Sequence, residues 1–396
     1  MPVPTPFHPR TSALCTSYRW KQWSGYHAVC SYETCHEREY NAFRQGAGLL
    51  DVTPLFKYEV RGKGAADFLS HVLTKDARKV KVGQVSYVSW TDDKGKMLDD
   101  GTITRIADDH FRMTAALPTY YWLEKNRRGY DVTVSDVSDQ IATLALQGPT
   151  SRAILKKACD ADLDKLGFFK TTACRMDGFE ARITRTGYTG DLGYEVWVKN
   201  ADALKLWDHL MDAGKDHGIE AAGLDALDIT RIEAGFILLD VDYFSAKDCL
   251  IEARKSTPYE IGLGWTVNLD REPFIGQAAL KAEKAKGSKW AFVGLDIDWL
   301  ELEALYLAQD LPPSVPGAAW RTAVPVFDQD MGQVGQATSG AWSPILKKNL
   351  ALATVLNEHS KPGTKLRIET TVEFKRQSVT ATVVEKPFFN PERKRA

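Results

Sequence analysis

The 396-residue sequence has no long apolar run, little cysteine and almost no net charge. No segment approaches the roughly 20 apolar residues that a membrane-spanning helix needs. The first residues, MPVPTPFHPR, lack the apolar core of a secretory signal. The formal net charge is -1 with both signs spread along the chain, which argues against the clustered basic surface of a nucleic-acid-binding protein. We therefore expect a cytoplasmic protein with neither a membrane nor a nucleic acid as partner.

The six cysteines are too few for a disulfide scaffold in a chain of this length, which favours a reducing compartment. Cys30, Cys35 and His36 lie close together, but the second ligand pair that zinc sites usually supply is missing. No G-x-G-x-x-G follows a strand, so a Rossmann dinucleotide-binding site is not supported. No G-x-S-x-G is present, so the nucleophile motif of α/β-hydrolases is also missing. We predict no metal site.

The composition is that of a globular protein, with 44% hydrophobic and 26% charged residues. Single cores stop growing at about 250–300 residues, so two or three domains are expected. LFKYEVRG alternates with a period of two and predicts a half-buried strand, while ADALKLWDHLMDAG predicts an amphipathic helix. A loop rich in Pro and Ala at 307–323 precedes short β-like segments, and the tail NPERKRA indicates a frayed end. This pattern predicts an α+β protein with a small C-terminal β-barrel or sandwich.

Six segments occur in an order and at a spacing that resemble one family. They are MLDDGTI at 97–103, RTGYTGDLGYEVWV at 185–198, TRIEAGF at 230–236, GLGWTV at 262–267, FIGQAAL at 274–280 and GQATSGAWSPILKKNLALA at 335–353. Together they resemble the folate-dependent aminomethyltransferase superfamily, which includes the T-protein of the glycine cleavage system and tetrahydrofolate-dependent demethylases. The resemblance extends from about residue 45 to about residue 385.

This resemblance implies the domain arrangement and the cofactor. Three domains would form a cloverleaf around a central cavity that holds tetrahydrofolate. Residues 1–290 would contain two intertwined α+β domains, and residues 291–396 would form the C-terminal β-barrel.

The glycine-rich segment is the candidate pterin site. The pterin edge presents two adjacent N–H donors, and a carboxylate with two acceptor oxygens matches that edge. Glu195 resembles the pterin-binding glutamate of the family, and Tyr188 resembles a tyrosine that packs near the ring. Gly187, Gly190 and Gly193 would let the backbone approach a flat ligand. The alternative is a hairpin loop whose glycines serve only the turn, with Glu195 solvated.

Three further residues are candidates for cofactor binding. Arg231 matches a family arginine at the folate site, where a guanidinium can hold an anion or lie against an aromatic plane. Tyr87 precedes the Asp-Asp pair as a family tyrosine does, and Trp265 in GLGWTV is a second aromatic candidate. The alternatives are an exposed helix arginine paired with a nearby acid, and aromatic residues buried for packing alone.

The Asp-Asp pair is the candidate catalytic element. It follows a predicted hairpin turn at 92–95, DDKG. One-carbon transfer at a folate nitrogen passes through positive charge, which a fixed carboxylate would stabilise. The resemblance gives this role to the first aspartate, Asp99, and Asp100 would raise the pKa of its neighbour through like-charge proximity. A solvated pair after a turn is the alternative.

The sequence departs from the T-protein pattern at three places. Leu227 stands where T-proteins usually have an arginine, Gly101-Thr102 replace apolar residues, and ILLDVDYFS at 237–245 replaces a Tyr-Gly turn and an acidic stretch. These places are where we expect the substrate, rather than the pterin, to be contacted.

The last of these segments supplies Asp240, Asp242 and Tyr243 as candidate substrate-binding residues. The departures favour a demethylase-like enzyme that moves a methyl or methylene group from a small methylated or aminomethyl donor to tetrahydrofolate. Two alternatives remain. One is a glycine cleavage T-protein, whose partner would be a lipoyl carrier protein. The other is a non-enzymatic folate-binding factor for iron–sulfur assembly; such relatives carry a cysteine in the folate loop, and GYTGDLGYE has none.

Overall fold

The structure, a computed structural model, describes all residues from 1 to 396. The helices are α1 His8–Leu14, α2 Glu37–Gln45, α3 Ala65–Val72, α4 Tyr120–Asn126, α5 Ser151–Ala158, α6 Ala203–Ala213, α7 Leu224–Glu233, α8 Gln277–Lys286 and α9 Trp299–Leu307. None of these helices has both the length and the apolarity that a membrane crossing requires.

The strands alternate with the helices in the first two thirds of the chain. They are β1 Arg19–Trp23, β2 Tyr26–Ser31, β3 Ala47–Asp51, β4 Phe56–Arg61, β5 Val85–Thr91, β6 Met97–Ala107, β7 His110–Ala115, β8 Thr133–Asp136, β9 Ile141–Gln147, β10 Thr171–Met176, β11 Phe179–Thr184, β12 Gly193–Lys199, β13 Ile219–Ala221, β14 Trp290–Ile297, β15 Val324–Phe327, β16 Gln333–Ser343, β17 Lys348–Leu356, β18 Lys365–Val372 and β19 Lys375–Val384.

Three units with separate cores are built from these strands. The five-stranded antiparallel sheet has the order β5-β6-β7-β4-β8, and the six-stranded sheet has the order β10-β11-β12-β9-β3-β13 with only β3 and β13 parallel. The barrel closes in the order β14-β17-β16-β15-β18-β19. Each unit has its own apolar cluster. The predicted α+β class with a C-terminal β-barrel is confirmed. β14 begins at Trp290, and the division at residue 291 stays a prediction.

A fourth apolar cluster lies where the three units meet. It takes Leu50 from β3, Met97 from β6, Ile229 from α7 and Phe292 from β14. Because α7 passes through this junction, even the side chain of Arg231 is only 1% exposed. The start of β6 and helix α7 therefore lie at the junction of the three units.

The C-terminal tail is docked, so the prediction of a frayed end is wrong. Arg393 forms a 2.7 Å ion pair with buried Asp191, and the ammonium of Lys394 lies 5.0 Å from the ring centre of Phe236. The predicted loop at 307–323 does connect two elements, α9 and β15. Asp191 and Phe236 are both far from the tail along the chain. The composition of the tail therefore could not reveal these contacts.

Candidate active site

Asp100 is held by two tyrosine hydroxyls from different parts of the chain. Tyr243 donates to Oδ1 and Tyr87 donates to Oδ2. Burial raises the pKa of the Asp100 carboxyl, and the two hydroxyl donors oppose that rise. Burial and the Asp100 charge also raise the pKa of both tyrosines, which keeps them protonated as donors. The result is an oriented carboxylate in a site of low polarity.

A tight turn positions this carboxylate. The Oδ1 atom of Asp92 accepts the backbone N–H groups of Lys94 and Lys96, at 3.0 and 2.8 Å. Gly95 has a φ of 75°, in the left-handed region that favours glycine. The turn joins β5 to β6 and pairs Ser89 with Asp100 across the hairpin. The hairpin predicted at 92–95 is present.

Asp99 points to the opposite face of β6 and binds main-chain donors. Its Oδ1 accepts the N–H of Asp100 at 2.8 Å, and its Oδ2 accepts those of Ala116 and Leu117 at 2.9 and 2.8 Å. Burial and the Asp100 charge raise the pKa of Asp99, whereas these three donors stabilise its ionised form. This geometry disagrees with the prediction of Asp99 as the catalytic member of the pair, because Oδ2 holds the loop after β7 and Oδ1 is bound to the N–H of Asp100.

Glu195 on β12 has one oxygen bound and one without a protein donor. Its Oε2 accepts the hydroxyls of Thr186 and Thr184 at 2.7 and 3.2 Å. Burial raises the pKa of this carboxyl, and the two hydroxyls and the charge of Lys57 lower it. Oε1 accepts no hydrogen bond from the protein. Glu195 is only partly buried and this oxygen is not enclosed, so a ligand with N–H donors can bind to it.

Two of the glycines before Glu195, Gly187 and Gly193, pack against Gln147. A Cβ atom on Gly187 or Gly193 would collide with the Gln147 amide. Nε2 of Gln147 donates to the carbonyls of Thr186 and Tyr194, at 3.1 and 3.2 Å. These two glycines therefore let a buried amide hold the loop, and their contact with a flat ligand stays a prediction.

Tyr188 connects the Glu195 loop with the Asp100 site. Its hydroxyl donates to the carbonyl of Ile237, and its ring stacks on Phe236 at 5.5 Å between centres. Burial raises the pKa of Tyr188, which keeps its hydroxyl protonated as a donor. The segment from Phe236 to Tyr243 thus contacts Tyr188 at one end and Asp100 at the other, and it links the two candidate halves of the site.

Tyr87 and Trp265 form an aromatic stack beside Asp100. Their ring centres are 5.7 Å apart with 21° between the planes. Trp265 is 60% exposed, which is unusual for a tryptophan, so core packing does not account for it. The structure brings both residues to the side of Asp100 that opens to solvent.

Arg231 is not available to a ligand, contrary to its prediction as a cofactor-binding residue. Its Nε and Nη1 donate to Asp228 and Asp242, both at 2.7 Å, and its Nη2 donates to Ser339 at 2.8 Å. Asp242, predicted to bind substrate, also accepts the hydroxyl of Thr338 at 2.5 Å and is buried. Both residues instead connect α7 to barrel strand β16.

Of the other two predicted substrate-binding residues, one lies away from the site and one contacts Asp100. Asp240 is exposed, makes no side-chain hydrogen bond, and adopts a φ of 63° at a turn. The structure gives it no connection to the site. Tyr243 is 1% exposed and contacts Asp100 directly, so it joins the site as a partner of the carboxylate.

We expect Arg231→Met to lower the free energy of unfolding by about 3–5 kcal/mol, because buried Asp242 would lose its only ion-pair partner, whereas Asp228 would keep Arg321. Chemical denaturation measures this change. Asp240→Asn is the control and should stay within about 0.5 kcal/mol of the unaltered protein. If the Arg231→Met variant is as stable as the unaltered protein and has lost only folate binding, Arg231 does bind the cofactor.

Lys57 is a site neighbour that the sequence did not reveal. It is fully buried, and its ammonium donates to the carbonyls of Thr53 and Leu55 at 2.7 and 2.8 Å. Burial lowers its pKa to about 7, and its charge lowers the pKa of Glu195. In LFKYEVRG this lysine occupies a polar position of the alternating pattern, which indicates solvent rather than burial.

Two family models match nearly the whole fold. The GCVT N-terminal domain matches residues 10–271, and the glycine cleavage T-protein C-terminal barrel domain matches residues 313–390. The three units thus have the domains of a one-carbon transferase of the aminomethyltransferase class.

Curated relatives and a solved structure agree with this class. The aminomethyltransferase of Caldanaerobacter subterraneus is 32% identical over 89% of this chain and 87% of the relative. That of Bacillus cereus strain G9842 is 33% identical over 89% of each chain. The glycine cleavage system aminomethyltransferase T of Bartonella henselae has a TM-score of 0.83 at 25% identity, and the match covers 98% of this chain and 99% of that one. The chain belongs to the GCVT aminomethyltransferase family.

Membership of this family confirms several predictions. The resemblance, the enzyme class and tetrahydrofolate as the one-carbon carrier of that class are confirmed. The relatives support the T-protein alternative better than the demethylase-like activity that we preferred from the sequence. They give no support to the non-enzymatic alternative. The cytoplasmic location stays a prediction.

Proposed function

We propose that this protein transfers a one-carbon unit from an aminomethyl donor to tetrahydrofolate. The observation that carries the proposal is the Asp100 carboxylate, which two tyrosine hydroxyls orient and which Tyr243 links to the segment contacted by Tyr188 of the Glu195 loop. When bound, tetrahydrofolate supplies the nitrogen that accepts the one-carbon unit. The protein would supply binding, orientation and a negative charge.

Glu195 is the residue that would hold the pterin. Its Oε1 has no protein donor, whereas Thr184 and Thr186 fix its Oε2, so the free oxygen has a set direction. An ionised carboxylate binds N–H donors more strongly than a neutral acceptor does. Tyr188, Tyr87 and Trp265 offer aromatic faces around the ligand.

Asp100 would stabilise the positive charge on the transferred group. A fixed charge acts more strongly in a poorly solvated site than in water, and it needs no reorganisation when the substrate becomes cationic. Tyr87 and Tyr243 hold the carboxylate in place. The same carboxylate could take up a proton from the donor amine.

The identity of the donor rests on the relatives. Those reported above are named aminomethyltransferases, and the solved structure comes from a glycine cleavage system. We therefore propose an aminomethyl group carried by a lipoyl protein as the first candidate donor. A small methylated compound is the second candidate, because Leu227 packs against the central cluster where T-proteins usually have an arginine.

We expect methylene-tetrahydrofolate, ammonia and the dihydrolipoyl form of the carrier when the protein receives tetrahydrofolate and an aminomethyl-loaded lipoyl carrier. Mass spectrometry of the folate product gives the result. In parallel reactions, small methylated amines, sulfonium compounds and methoxy-aromatics replace the carrier. Methyl-tetrahydrofolate from one of these compounds, with no product from the carrier, would establish the demethylase activity instead.

A further inference from the structure

Lys75 is a partly buried cation without an acidic partner. Its ammonium lies 5.2 Å from the ring centre of Trp265 and 3.5 Å from the carbonyl oxygen of Tyr87. No carboxylate lies within ion-pair distance of it, whereas nearby Arg78 pairs with both Asp76 and Glu272. Burial lowers the pKa of Lys75, and no nearby charge opposes this effect. The protein thus holds a desolvated ammonium without neutralising it.

The position of Lys75 connects this ammonium to the candidate active site. Trp265, the residue beneath it, is 60% exposed and stacks on Tyr87. The hydroxyl of Tyr87 in turn donates to Asp100. Two stacked aromatic rings therefore connect the Lys75 ammonium to the Asp100 carboxylate. The outer ring, that of Trp265, is exposed to solvent.

We propose that Lys75 and Trp265 form a carboxylate-binding subsite at the mouth of the one-carbon transfer site. The indole offers a flat apolar surface, and the ammonium offers a charge that an anion can neutralise at little further desolvation cost. This inference rests on the proposed function. Two sources share the required chemistry, namely the glutamyl group of tetrahydrofolate and a carboxylate on the one-carbon donor.

Calorimetric titration with two folates that differ only in the glutamyl group tests the first source. The ligands are 5-formyltetrahydrofolate and 5-formyltetrahydropteroyl amide, in which a neutral amide replaces the glutamyl group and no carboxylate remains. We expect Lys75→Met to weaken binding of the glutamyl compound by about tenfold, as loss of a charged hydrogen bond does, and to leave binding of the amide unchanged. Lys75→Arg should retain most of the affinity. Lys281→Met, on the exposed face of α8, is the control and should change neither.

A second pair of ligands tests the donor as the source. N,N-dimethylglycine and trimethylamine both present a methylated nitrogen, but only the first has a carboxylate. If Lys75→Met weakens binding of dimethylglycine alone, with both folates unaffected, the subsite serves the donor. The inference is wrong if Lys75→Met weakens binding of neither the glutamyl folate nor dimethylglycine. It is also wrong if the substitution weakens binding of both folate ligands equally. Failure of the unaltered protein to bind either folate would instead contradict the proposed function itself.

Discussion

Asp100→Asn is expected to slow one-carbon transfer by about a hundredfold or more, which is the typical effect of removing an oriented electrostatic contact from a transition state. The amide keeps the size of the side chain but removes its negative charge. It would also place an NH₂ group against one of the two tyrosine hydroxyls that now donate to Asp100. Single-turnover kinetics with saturating folate separate this effect from weaker binding.

Asp99→Asn is the matched control for this experiment, since it makes the same chemical change one residue earlier. Both oxygens of Asp99 accept backbone N–H groups, so an amide there leaves at least one donor unsatisfied. We expect a loss of about 1–3 kcal/mol in the free energy of unfolding. The folded fraction should react at nearly the normal rate. The assignment to Asp100 is wrong if its variant reacts normally and the Asp99 variant is folded but inactive.

Glu195→Gln is expected to weaken tetrahydrofolate binding by about 10- to 100-fold, because charge-assisted hydrogen bonds are replaced by neutral ones. Glutamine preserves the shape and can still accept from Thr184 and Thr186. Its NH₂ group would then occupy the position of the free Oε1 and meet the N–H donors of the pterin. Titration of tetrahydrofolate under anaerobic conditions gives the affinity.

The pH dependence of that affinity provides a second readout. Burial raises the pKa of Glu195, so the carboxyl takes up its proton at a higher pH than an ordinary glutamate. Tetrahydrofolate affinity should therefore fall as the pH falls through this raised value, because the protonated acid has lost its charge. Glu195→Gln should bind weakly without this transition. A transition that persists in the variant would have to come from another titrating group.

Much of the fold and some of the site could be predicted from local sequence. Short strands, amphipathic helices and a β-rich end follow from hydrophobic periodicity, which depends only on neighbouring residues. The turn at 92–95 has the same origin. The ordered motifs, which imply the family and its folate chemistry, made Glu195, Tyr188 and the Asp-Asp pair candidates before any contact was known.

Only the tertiary structure decided which of these side chains face the site. Adjacent strand residues point to opposite faces, and the sequence favoured Asp99 for the catalytic role. Only the structure showed that Asp99 binds the loop after β7, which leaves Asp100 facing the site. Arg231 became part of the interior because α7 crosses the junction of three units and meets Asp242 there. Lys57 is buried for a similar reason, since packing on both faces of its sheet overrides the alternating pattern. Periodicity determines the elements, whereas contacts between distant segments determine the role of each charge.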